Sequence, residues 1–195
     1  MFGVGAFATI ANVIQYRRLA ALLLGIWLGG GIFADFAAVR NFDTVDRFLV
    51  EPGSILSAAE LSKIGRDRER VLLRRNAGEE NTFLFVNWER AELLIGSVLL
   101  LLLAFGGRPE KLMLSLTLAM MAIVAVQHFY FTPTVADLGR QIADLPPKHP
   151  LNDQFWMLHG ISSGVEIFKL LIGAALAVRL SVKPAVKKTA VSQNG

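Results

Sequence analysis

Cysteine is absent from this chain. That removes disulfides, thiolate metal sites, iron–sulfur clusters and cysteine nucleophiles in one step, so any metal would have to be held by histidine and carboxylate. Histidine is also scarce, with three in the chain, and none stands in the ExxH or HExxH spacing that ferritin-like and zincin sites require. Charge is low: 18% of residues are charged against 53% hydrophobic, and the mean hydropathy is +0.48. Soluble domains carry about 25% charged residues, so the solvent to reason with is the lipid bilayer. Nothing resembling a nucleophile with its base, or an open metal position in a substrate pocket, can be read from the motifs, and the residues do not point to an enzyme.

What is present is apolar sequence in blocks of roughly 20 residues, the length that crosses a hydrocarbon core about 30 Å thick. Four blocks predict an all-α integral membrane protein, a four-helix bundle with spans at about 19–39, 88–105, 112–133 and 155–178. Residues 1–182 form a single membrane domain on this reading, and 183–195 a disordered basic tail. The 40–87 segment reads as one long, partly helical extramembrane loop, carrying eight acidic and eight basic residues. Within it, Ser54–Asn76 is expected to form a surface helix, with Ser57 and Glu60 spaced as a capping box. Pro133 is expected to kink or end the third helix.

The net charge of +4 does not indicate nucleic acid. The most basic run, GRDRERVLLRR, is interrupted by Asp67 and Glu69 and has no interleaved aromatic residues. Basic residues flank the apolar blocks instead, as membrane topology requires. Arg17, Arg18, Lys183, Lys187 and Lys188 lack acidic neighbours, which places both termini in the cytoplasm of a multi-pass protein, with a bacterial inner membrane the expected location. The basic pair ahead of the first block also fits a secretory signal cleaved near Ala37 and Ala38, a reading disfavoured by the length of the block and the three spans that follow.

Topology then brings the ionisable residues together. In an antiparallel bundle the end of span one, the start of span two, the end of span three and the start of span four share one membrane face. Asp35, Glu89, Glu92, His128 and His159 are therefore expected at similar depth, with Glu166 about 10 Å deeper than His159 by helix rise. His128, His159, Glu92 and Asp35 are the candidate ligands of a transition metal ion, or the two histidines the axial ligands of a haem. Ser163, Glu166 and Lys169 form a second candidate, a polar core or proton path in a proton-coupled small carrier. The main rival to the metal or haem site is a structural or partner subunit, in which Glu166 and Lys169 pair with each other or Lys169 snorkels, and in which Gly29, Gly30 and the Gly160/Gly164 pair matter more than the histidines; the carrier comes third. Expected partners are the bilayer and either further copies of the chain or other subunits of a membrane complex.

Three stretches, GIWLGGGIFADFAAVRNF, HFYFTPTVADLGRQI and FWMLHGISSGVEIFKLLIG, together about a quarter of the chain, resemble the transmembrane protein 205-like family of small four-span membrane proteins. The resemblance rests on Leu158, His159, Gly160 and Ser162 in an LHGxS pattern and on Phe131, Thr132 and Pro133. It implies the four-span fold. Because the eukaryotic member is associated with platinum-drug resistance, it also implies a loose link to metal handling or membrane traffic.

Overall fold

The computed structural model describes residues 4–50, 65–106, 110–143, 145–146 and 148–182, with the side chains of 4–14 and 66 outside that description. Every described element is helical: α1 (Val4–Val50), α2 (Arg66–Phe105), α3 (Lys111–Val126), a π-helical turn (Gln127–Phe131), α4 (Thr132–Ile142) and α5 (Pro150–Ser181). The fold is all-α, as the apolar blocks predict. α1 packs on α2, α2 on α3, α3 on α5, and α5 back on α1. Cross-helix pairs fix the directions. Trp27 meets Glu92 and Asn41 meets Asn81, so α1 and α2 run antiparallel, and Gln127 meets Glu166 while Arg17 meets Leu180.

Three helical stretches, Gln15–Val50, Lys111–Ile142 and Pro150–Ser181, are long and apolar enough to cross a membrane. The distribution of side chains agrees with an apolar solvent. Phe33, Phe36, Phe105, Phe129 and Phe168 are exposed, while Glu89, Glu92, Gln127 and Lys169 are buried. In water this arrangement would forfeit the hydrophobic driving force, and in hydrocarbon it hides the groups that cost most.

The 40–87 segment differs from the expected loop. α1 runs on to Val50 and α2 starts at Arg66, so most of the segment continues the two helices as an antiparallel pair; residues 51–64, with the first part of the expected surface helix, lie outside the described residues, as does the 183–195 tail. The physical reason lies in the sequence. Between Arg40 and Val50 there is neither proline nor glycine to stop a helix, and polarity alone does not break one. The charges of the segment join the two helices. Arg74 is bonded to Asp46 at 2.8 Å, and the Asn81 amide donates to the Ala38 carbonyl at 3.0 Å.

Pro133 does not end its helix. The helix continues through it, and the adjustment falls one turn earlier. A proline has no N–H, and its ring crowds the carbonyl four residues back, here Phe129. The π turn absorbs this by widening: the Thr132 N–H bonds to the Gln127 carbonyl, five residues back. That wider turn sets the directions of Gln127, His128 and Thr132, all of which reach across to neighbouring helices.

The interior has two halves. Toward the chain termini it is apolar apart from Thr117, whose hydroxyl bonds to its own helix, with Ala20, Leu24, Leu99, Leu103, Met113, Met120, Val124, Leu176 and Leu180 in one cluster. The Arg17 guanidinium closes that end by donating to the carbonyls of Arg179, Leu180 and Val182 at 2.7–2.8 Å, satisfying acceptors left over at the C-terminus of α5. The other half is polar.

Candidate functional site

The polar half is built from all the long helices. From α5, the Lys169 ammonium lies 2.6 Å from Glu92 Oε1 on α2 and 2.8 Å from Glu166 Oε2 one turn earlier on its own helix. Lys169 is 2% exposed and Glu92 is 1% exposed, so both charges are held inside the protein. α1 contributes Trp27, whose indole N–H donates to Glu92 Oε1 at 2.9 Å. The π turn contributes Gln127, whose side-chain amide donates to Glu166 Oε2 at 2.9 Å. Asp35, half-buried on α1, stands within electrostatic reach of Glu166 and Lys169.

A second pair lies toward the polar end of the helices. His128 Nδ1 is 3.0 Å from Glu89 Oε2, and the Thr132 hydroxyl donates to Glu89 Oε1. Glu89 is buried, so both its oxygens are satisfied by the π-turn region of the neighbouring helix.

The charge balance of the deeper group is uneven. One ammonium faces two carboxylates, Glu92 and Glu166, which leaves an excess negative charge when both are ionised. Three of the acceptor atoms here, Glu92 Oε2, Glu166 Oε1 and Gln127 Oε1, have no hydrogen-bond partner among the described residues, and neither has the donor Trp88 Nε1. Buried polar atoms of this kind are rare in proteins and call for an explanation.

The candidate metal ligands are distributed differently. His128 is engaged with Glu89, and Glu92 with Lys169 and Trp27. His159 is exposed, stacked on Phe155 and edge-on to Trp156. Among the described residues no group of three or more His, Asp or Glu side chains is placed to hold a metal ion. The face read through His159, Ser163 and Glu166 is inward only at its deeper end, because the buried stripe of α5 passes through Lys169, Gly173, Leu176 and Leu180. Ser163 is exposed and bonds back to the His159 carbonyl. Lys169 does not snorkel. It was legible as a partner of Glu166 by spacing, whereas its shorter contact with Glu92 depends on the register between α2 and α5.

Residues missed by the sequence reading are Trp27, Gln127 and Thr132 as bonding partners. Gln127 carried a usable signal, an amide six residues before Pro133 inside an apolar block. Trp27 carried none, since an aromatic in a span reads as packing.

No protein-family model matches the chain, and no curated protein and no solved structure matches it either.

Proposed function

We propose that the chain is a four-span integral membrane protein whose Glu92–Lys169–Glu166 centre binds and releases a proton from one face of the membrane, as the central step of a proton-coupled small carrier. The observation that carries this reading is the buried ammonium bonded to two carboxylates at 2.6 and 2.8 Å. With Glu166 protonated the Glu92–Lys169–Glu166 trio is neutral, and with Glu166 ionised it holds one uncompensated charge, which Asp35 on α1 also faces. A proton on Glu166 removes that uncompensated charge, which suits the trio to take one up.

α2 serves as the fourth span. The residues that make it too polar by composition are Glu89, Arg90 and Glu92, and both carboxylates among them are turned into the protein. Their cost is hidden from lipid. The apolar cluster around Leu24, Leu99 and Met120 closes the far half, where Ser97 and Thr117 are bonded to their own helix backbones, at Leu93 and Met113. Access from one side only is the arrangement of a carrier in one of its states rather than of an open channel. The termini lie on the closed side, in the cytoplasm on the positive-inside argument.

Glu166→Gln is the test. Folded wild-type protein in mild detergent, taken from alkaline to acidic pH with a pH-indicator dye, is expected to bind one proton more per chain than the Gln variant. Identical uptake by the two proteins would overturn the reading.

A further inference from the structure

A notch opposite Gly31 deepens that reading and rests on it. A Cβ built on Gly31 would meet Glu166 Oε1 at 3.5 Å, Trp88 Nε1 at 3.7 Å and Glu92 Oε1 at 3.8 Å, with nothing nearer. Two of those three atoms, Glu166 Oε1 and Trp88 Nε1, are among the buried polar atoms without a partner, and the third belongs to Glu92, whose Oε2 is another. Glu92 is 1% exposed. Two carboxylates and an indole N–H thus converge on a glycine of α1, where no side chain fills the space.

We propose that this notch binds a water molecule that hands protons to Glu166. The chemistry of the lining selects this occupant. The Trp88 N–H requires an acceptor, and the carboxylate oxygens require donors. A water accepts one hydrogen bond and donates two, which matches Trp88 Nε1, Glu166 Oε1 and Glu92. A metal cation would be pointed at by the Trp88 N–H and would share Glu92 with the Lys169 ammonium, so both neighbours disfavour it. The space suits a water as well. A water stands off the Gly31 Cα farther than a bonded Cβ does, which moves it toward the three atoms and toward hydrogen-bonding distance.

Trp88 also joins the notch to the outside. Its side chain lines an open groove between α1 and α2 together with Asn41, Glu80, Phe83, Leu84 and Asn87. The groove is the entrance, and the indole separates it from the buried centre. Hydronium in the groove gives a proton to the notch water as that water gives one to Glu166 Oε1, the oxygen not engaged by Lys169 or Gln127, so one O–H bond breaks and one forms at the notch oxygen and it stays a neutral water. Lys169 and Glu92 keep their bond throughout.

Gly31→Ala separates this role from a structural one. The added methyl meets its neighbours at 3.5–3.8 Å, ordinary contact distances, so the variant is expected to fold while the methyl takes the water's place. Two readouts are needed. In wild-type protein labelled with ¹⁵N at indole nitrogens, the Trp88 N–H is expected to show a cross-peak to water that vanishes in Gly31→Ala, with the Trp27 N–H, bonded to Glu92, unchanged. In stopped-flow pH jumps, proton uptake by Gly31→Ala is expected to slow by more than tenfold, with its final extent kept. Absence of the water cross-peak at wild-type Trp88 would overturn the proposal. So would a variant that loses the cross-peak and still takes up protons at the wild-type rate. Failure of the underlying functional reading has a different signature, equal proton uptake by wild type and Glu166→Gln, whatever the Trp88 signal does.

Discussion

Lys169→Met is expected to destabilise the protein by about 3–5 kcal/mol, the cost of removing one partner from a buried ion pair. The magnitude follows from what is left behind. Glu92 and Glu166 would remain inside the helices without the ammonium that lies 2.6 and 2.8 Å from them. Buried carboxylates without a counter-charge either distort the packing to reach water or take up protons, and both cost free energy. Methionine matches the lysine stem in length and polarity of its inner carbons, so packing loss contributes little. Adding Glu92→Gln to Lys169→Met removes one of the stranded charges and is expected to recover part of the loss. Helix content followed through denaturant unfolding in mild detergent checks both variants. Unfolding of Lys169→Met at the wild-type midpoint would mean that Lys169 reaches the membrane surface instead of the carboxylates.

Three consecutive glycines give the second large effect, because their surroundings differ sharply. A Cβ on Gly30 would lie 2.0 Å from Cη2 of Trp88, with two more ring atoms under 3 Å, while a Cβ on Gly29 would meet nothing within 4 Å. An indole cannot yield as a flexible chain end can. Gly30→Ala is therefore expected to push α1 from α2 or to expel Trp88, costing about 1–3 kcal/mol or more as overpacking does. Gly29→Ala, one residue away, is expected to unfold with wild-type stability or slightly above it, since alanine is the better helix former. The same unfolding measurement distinguishes them, and Trp88→Ala in the Gly30→Ala background is expected to restore part of the loss by making room. Equal stability of the Gly29 and Gly30 variants would contradict the packing of Trp88 against α1.

These glycines show where the sequence was readable and where it was not. Close approach through a small residue was legible for the GGG run as a whole, but the period of a helix does not say which of three neighbours faces α2. Gly160 and Gly164, expected to pack, have open space around them. The convergence of Glu89, Glu92, His128 and Glu166 on one half of the molecule was legible because alternating helix directions allow few arrangements. The pairing within that group was not. Whether Glu92 meets Lys169 or a histidine depends on offsets of a few ångströms between helices and on the π turn before Pro133. His159 illustrates the same limit. It follows Leu158 by about 100° around α5, enough to carry it from the half-buried edge of the stripe to the exposed surface. The polar continuation of α1 and α2 was misread for another reason. Hydropathy marks where hydrocarbon ends, whereas helices end at breaking residues, and Arg40–Val50 contains neither proline nor glycine.

On the proposed function, Glu166, half-buried beside Lys169, changes protonation while the fold stays intact. An infrared difference spectrum of the protein in lipid membranes, recorded between alkaline and acidic buffer, tests it most directly. A carboxylic acid C=O band is expected to appear on acidification in the wild type and to be missing in Glu166→Gln, with the amide bands of the helices unchanged. A wild-type spectrum without that band, or the same band in the Gln variant, would contradict it.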